Sequence, residues 1–122
     1  MTQTQMFSNT PLKVSSIIGT NVVNPAGDDL GDVKEVVIDP RSGKVAYAVI
    51  SFGGFLGMGT KLFAVPFSAL KYHAEDNEYA LDVSKERLKD APGFDPDHWP
   101  VMSDEKWNRD VYKYYERAPY WE

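Results

Sequence analysis

Residues 44–67, KVAYAVISFGGFLGMGTKLFAVPF, leave the chain few architectures. They divide into two strands, 44–52 and 61–67. In the first, Val45, Tyr47 and Val49 point one way and Ala46, Ala48, Ile50 and Phe52 the other. Apolar side chains on both faces at a period of two describe a strand covered on both sides, at the centre of a small barrel or sandwich. The second strand repeats the pattern, with Leu62 and Ala64 opposite Phe63, Val65 and Phe67. Pro66 has no N–H to donate, so the ladder ends or meets an edge there. The connection between the strands alternates four glycines (Gly53, Gly54, Gly57, Gly59) with Phe55, Leu56 and Met58. Loops are polar where they face water, so this one either folds back over the barrel or meets a partner.

Short strands with turn signals between them flank this pair. Residues 15–19, SSIIG, read as a brief helical turn with a serine cap and a glycine exit, with Ile17 and Ile18 plugging one end of the barrel. A strand at 20–24 is followed by Asn24-Pro25-Ala26-Gly27, a tight-turn pattern. In the strand at 28–39, Val33, Val36 and Ile38 break a strict alternation. A bulge between Val33 and Val36 would bring them to one interior. Residues 39–43, DPRSG, form a hairpin with Gly43 suited to positive φ. Strands at 68–73 and 78–83 follow, then a helix at 85–90 capped by Ser84 with Leu88 inward and Pro92-Gly93 beyond it. This pattern predicts a mainly β fold, a small and largely antiparallel barrel.

Residues 92–122 have a different character: 94–122 hold all three tryptophans and four of the seven tyrosines. A helix is expected over 103–117, with Ser103 as cap, acids at its start and Arg117 near its end. Trp107, Val111 and Tyr114 share one face. Such a segment docks on its own barrel or on a second subunit. The expected organisation is a flexible lead at 1–14, a barrel domain at 15–91 and an aromatic, helical extension at 92–122.

Taken together, Gly19, Gly27, Gly31-Asp32-Val33, Ile38-Asp39, Gly43, Tyr47-Ala48-Val49-Ile50, Gly53-Gly54-Phe55-Leu56-Gly57, Lys61, Val65-Pro66 and Leu70 resemble the PRC-barrel. That domain occurs in the cytoplasmic part of the photosynthetic reaction-centre H subunit and in the C-terminal half of RimM. The resemblance spans about residues 15–91. It implies a small, largely antiparallel barrel that helps assemble larger complexes, with no catalytic residues to transfer.

The residues offer little to chemistry. With no cysteine there is no disulfide, thiolate nucleophile or thiolate metal site. The glycine-rich connection lacks the lysine and following helix of a phosphate loop. Asp28, Asp29, Asp32 and Asp39 lack the spacing of a calcium loop. Asp32 with Glu35 has acid/base spacing but no pocket signal, and His73 and His98 form no ligand pair. A net charge of -5 disfavours nucleic acid. No apolar run reaches the ~20 residues that span a bilayer, and the first residues lack a secretory pattern. The expectation is a cytoplasmic, non-catalytic interaction module without cofactor or metal. It works as a homodimer or as an adaptor for another protein, using Phe55, Leu56 and Met58 and, on a second surface, Trp107, Val111 and Tyr114. Peripheral contact with a membrane or photosynthetic complex is the alternative, and an enzyme of unknown chemistry, which would need a deep pocket of converging titratable groups, is a third reading.

Overall fold

The computed structural model describes residues 11–53 and 60–122. Its elements are α1 (Val14–Ile17), β1 (Asn21–Val23), β2 (Asp29–Ile38), β3 (Val45–Gly53), β4 (Thr60–Pro66), a 3-10 turn (Phe67–Ala69), β5 (Leu70–His73), β6 (Glu78–Leu81), α2 (Lys85–Lys89) and α3 (Glu105–Tyr114). The six strands form one mixed sheet in the order β4-β3-β2-β1-β6-β5. Neighbours are antiparallel except β1 and β6, which run parallel. The fold is mainly β and related in layout to the expected barrel, but the ladder is open, with β4 and β5 at its edges. The chain leaves β4 at Pro66 and enters the 3-10 turn, so residues 68–69, expected as strand, lie in that turn instead. Beside β4, Phe94 exchanges two backbone hydrogen bonds with Leu62, at 2.8 and 2.9 Å, and so occupies part of the edge.

Both faces of the central pair are buried. Residues 46–50, Phe52 and 62–65 all lie at or below 5% exposure. All of these but Val49 and Leu62 join Ile17, Val22, Leu30, Val33, Tyr79, Leu81, Leu88 and three residues of the extension in one core. Each large apolar side chain withdrawn from water contributes about 1.5–3 kcal/mol, so the two-faced strands concentrate the stabilisation at the middle of the sheet.

Register irregularities bend β2 where the apolar pattern changes step. One falls between Val33 and Glu35, inside the expected interval, and a second between Val37 and Ile38. Val33 is buried and Val36 and Val37 are half-buried against the core. Ile38 departs from expectation at 43% exposure, because the second irregularity and the turn after it rotate its side chain outward. Ile18 is likewise exposed while Ile17 is buried. α1 spans one turn, starts after Lys13 rather than at a serine cap and has room to bury only one of the two isoleucines.

Local turn chemistry matches the sequence closely. Gly27 N–H donates to Asn24 C=O at 2.9 Å, and the buried Asn24 side chain donates to Val83 C=O at 3.1 Å, tying this turn to the segment between β6 and α2. In the β2–β3 hairpin, Gly43 N–H donates to Asp39 C=O at 2.8 Å with φ of 76°. Ser84 caps α2 by accepting from Arg87 N–H at 3.0 Å. The cap of α3 is Asp104, not Ser103: its carboxylate accepts from the N–H groups of Lys106 and Trp107. A carboxylate answers both the free N–H groups and the positive end of the helix, which a hydroxyl does less well. α3 ends at Tyr114 in a Schellman arrangement, with Glu116 N–H on Lys113 C=O and Arg117 N–H on Tyr112 C=O, both at 3.0 Å.

Two backbone positions give direct tests. Gly31 has φ of 115°, and a Cβ there would meet Ser51 C=O at 2.0 Å. Gly31→Ala is therefore expected to destabilise the fold by about 2–4 kcal/mol, the joint cost of strained backbone and forced strand separation. Urea unfolding measures it, and a change under 1 kcal/mol would mean the strands do not approach this closely. Glu116 holds a left-handed conformation, φ 56°, that usually falls to glycine. Its one ion pair, with Arg87 at 3.9 Å, is exposed. Glu116→Gly should stabilise by about 0.5–1 kcal/mol, seen as a higher thermal midpoint.

Candidate interaction surfaces

The extension docks on the chain's own sheet, and aromatic contacts do most of the work. Tyr47 of β3 lies 5.3 Å from Trp107 and 5.6 Å from Tyr112, centroid to centroid. Tyr112 in turn meets Trp121 edge-on at 5.3 Å and Tyr120 at 6.0 Å. The Tyr112 hydroxyl donates to Ala46 C=O at 2.5 Å, and the Tyr47 hydroxyl donates to Asn108 Oδ1. Asn108 Nδ2 donates to the carbonyls of Met102 and Asp104, at 2.9 and 2.8 Å. Two buried phenols thus find partners, as amphipathic aromatics must when they enter a core.

Of the stripe expected on α3, Val111 is fully buried in this core, and Trp107 and Tyr114 are half-buried against it. The structure also buries Tyr112 and Tyr115, which the single-face reading did not include. Trp107, Val111 and Tyr115 are spaced i, i+4, i+8, so the same periodicity carried the signal one residue further on. Tyr114 lies to the side of the stripe: its ring sits 4.3 Å beneath the Arg87 guanidinium, and the two residues exchange side-chain-to-carbonyl hydrogen bonds. The Tyr115 hydroxyl is buried without a partner among the described residues. Phe55, Leu56 and Met58 lie outside the described residues.

After the helix the chain folds back over the β2–β3 hairpin. Tyr120 hydroxyl donates to Asp39 Oδ2 at 2.8 Å, and Lys44 Nζ donates to Tyr120 C=O at 3.2 Å. Arg117 donates to Ser68 C=O at 2.8 Å. Arg109 pairs with both Glu105 and Glu122 at 2.9 Å and stands 5.7 Å from the Trp121 ring centre. Between hairpin, helix and this return lies an open cleft of about 660 Å³, lined by Ile38, Asp39, Arg41, Tyr47, Tyr120 and Trp121 among others. A second hollow, about 820 Å³, covers the outer face of β5 and β6 and is walled by Lys71, His73, Glu78, Asp82 and Arg117.

The sequence-derived chemical candidates do not converge in either hollow. Asp28, Asp29, Asp32, Glu35, His73 and His98 are all exposed. Asp28 and Asp29 are bonded within their own turn, the first to Asn24 and the second to Gly31 N–H. Among the described residues no three His, Cys, Asp or Glu gather to hold a metal. In the first cleft, Asp39 is engaged by Tyr120 and Glu105 by Arg109. The surface also carries large apolar side chains: Leu12, Val14 and Ile18 in and beside α1, Ile38 on the hairpin, and Trp99 and Val101 before α3, each at least 40% exposed.

The Tyr120–Asp39 contact has a pH signature. The Tyr120 hydroxyl, and then Arg41 N–H, hold the Asp39 carboxyl below the ordinary carboxylate value. Burial, followed by the Asp39 bond, pushes the Tyr120 phenol up. A carboxyl lowered by folding adds stability that is present above its unfolded pKa and fades as pH falls through the folded one. Burial also raises Tyr47, Tyr112 and Tyr115. Their contribution, with that of Tyr120, is present below the unfolded tyrosine value of about 10 and is lost as pH rises through the raised values. Tyr120→Phe is expected to move the Asp39 titration back up towards the ordinary carboxylate value, read from its carboxyl carbon by NMR. An unmoved titration would show that the return segment does not rest on the hairpin.

Comparison with known proteins bears on the part beneath the extension. The family model described as PRC-barrel domain matches residues 11–88, well over half of the chain. It takes in α1, all six strands and α2 up to Leu88, and the aromatic extension follows it. Among solved structures, the chain is similar to a Pseudomonas aeruginosa 16S ribosomal RNA processing protein, RimM. Identity is 14% and the TM-score 0.43, over 65% of this chain and 48% of that one. The chain therefore spans about half the length of that protein. No curated protein matches. On the family match, with the sheet it covers, the chain belongs to the PRC-barrel domain family.

Proposed function

We propose that the protein is a non-catalytic interaction module that self-associates, or joins another protein, through its glycine-rich β3–β4 connection. One observation carries this reading. The ladder between the central strands ends with Gly53 opposite Thr60, and the strands it joins are buried on both faces. The connection between these two positions holds Phe55, Leu56 and Met58. Three large apolar side chains withdrawn by a partner would contribute about 1.5–3 kcal/mol each, of which association consumes a considerable part. In the first cleft the carboxylates are already engaged, Asp39 by Tyr120 and Glu105 by Arg109, which favours binding over catalysis there.

The reading places the module in the cytoplasm. Among the described residues no helix is long and apolar enough to cross a membrane. A net charge of -5 opposes anionic lipid and nucleic acid and makes another protein surface the better partner. Phe55→Glu should weaken self-association at least tenfold in light-scattering measurements across a concentration series, with an unchanged circular dichroism spectrum. Loss of the fold in this variant would make the connection part of the core and remove the proposed contact.

A further inference from the structure

We infer that, in the self-associated form proposed above, residues 102–122 are exchanged between two copies, each copy laying its α3 and return segment on β3 of the other. The inference rests on the homodimer reading and adds to it the partner residues that complete each core. Four observations support it.

First, the face of β3 must be covered by something with the chemistry of this segment. Val111, Tyr112 and Tyr115 are part of the one core, and Tyr47 and Ala46 bond to Asn108 and Tyr112. Second, the contacts that seat the segment on the sheet and α2 can be made unchanged by a second copy. They are the bonds just named together with Arg87–Tyr114, Arg117–Ser68, Lys44–Tyr120 and Tyr120–Asp39. Third, Phe94 is fixed to β4 by its bridge to Leu62, whereas residues 95–101 are held only locally. Among the described residues their backbone bonds are His98 N–H to Asp95 C=O and Val101 C=O from Asp104 N–H, each 3.0 Å. Opening the hinge breaks two hydrogen bonds, the exposed His98–Asp95 contact at 4.0 Å and the ring contact of Trp99 with Phe94.

Fourth, the hinge has the composition of a linker that favours extension and then needs covering. Pro96 and Pro100 bias Asp95 and Trp99 towards extended backbone. Trp99 and Val101 are 41% and 69% exposed. Seven extended residues reach about 25 Å, nearly twice the radius of gyration of a domain of this size. In the closed form Trp99 packs on the Phe94 ring at 5.0 Å, and two such hinges side by side would cover the parts of Trp99 and Val101 that this leaves exposed. A flexible tether gives the closed form an effective concentration near the millimolar range, so this extra contact is what brings exchange down to micromolar protein.

The chain has no cysteine, which makes a clean test possible. Arg117 reaches Ser68 C=O at 2.8 Å, and Ser68 and Ala118 are both exposed. The double variant Ser68→Cys with Ala118→Cys is treated with a bis-maleimide of about 10 Å span at several protein concentrations. Its solution mass is measured by light scattering and its covalent mass by denaturing electrophoresis. Exchange predicts a dimer in solution whose cross-links join two chains, while the single-cysteine variants give no such product. It also predicts that Trp99→Ser with Val101→Ser raises the dimer dissociation constant at least tenfold without altering circular dichroism. A solution dimer whose cross-links stay within one chain would overturn the exchange and leave the homodimer reading standing. A monomer at every concentration would overturn both.

Discussion

The structure depends on keeping β3 dry on both faces. A strand carrying Tyr47 and Val49 on one side and Ala48, Ile50 and Phe52 on the other has no face to give to water. Its backbone groups are satisfied by β2 and β4, but its side chains need two covering layers. The curled sheet supplies one from its own interior. The aromatic extension helps supply the other, with Tyr112 at its centre: the ring packs on Tyr47 and Trp121 while the hydroxyl answers Ala46 C=O. A purely aliphatic residue there would bury comparable area and leave that carbonyl without its donor, a penalty of roughly 1–3 kcal/mol.

The same requirement explains why the extension is bound at so many places along its length. Phe94 bridges β4, Tyr114 and Arg87 join α3 to α2, Arg117 reaches the 3-10 turn, and Tyr120 rests on the β2–β3 hairpin. Most of these links are individually modest, since a hydrogen bond made in exchange for one to water contributes about 0.5–1.5 kcal/mol net. Their effect is directional: they fix the angle at which the aromatic core of the extension meets the sheet. The PRC-barrel match ends at Leu88, so this chain adds to a family domain a cover that takes part in its core.

That arrangement narrows what the surface can do. The α3 stripe is occupied within the chain, so it is not a free face for a partner in the described conformation. Exposed apolar groups are found instead beside α1, on the hairpin and in the hinge before α3. Carboxylates that spacing alone would allow as acid–base pairs are solvated or tied into turns and ion pairs.

Much of the local structure was legible in the chain because local rules have short reach. The two-residue alternation of 44–52 and 61–67 announced strands covered on both sides. The order Asn-Pro-Ala-Gly announced the first turn, and Ser84 announced a helix start. A change of step after Val33 announced a bulge, since one interior cannot otherwise receive Val33 and Val36. Tertiary structure decided what these rules do not reach. The parallel pairing of β1 with β6 joins residues more than fifty positions apart, and no periodicity encodes it. Asp104 displaced Ser103 as the cap because its carboxylate answers two free N–H groups, and Tyr115 displaced Tyr114 from the buried stripe because α3 turns Asn108 and Tyr112 to Tyr47 and Ala46. Ile38 turned outward because a second irregularity in β2 precedes the hairpin. The sequence by itself determined which segments have apolar faces. Only the packed chain decided which of those faces meet each other, because that choice depends on shape and hydrogen bonding between residues far apart in the chain.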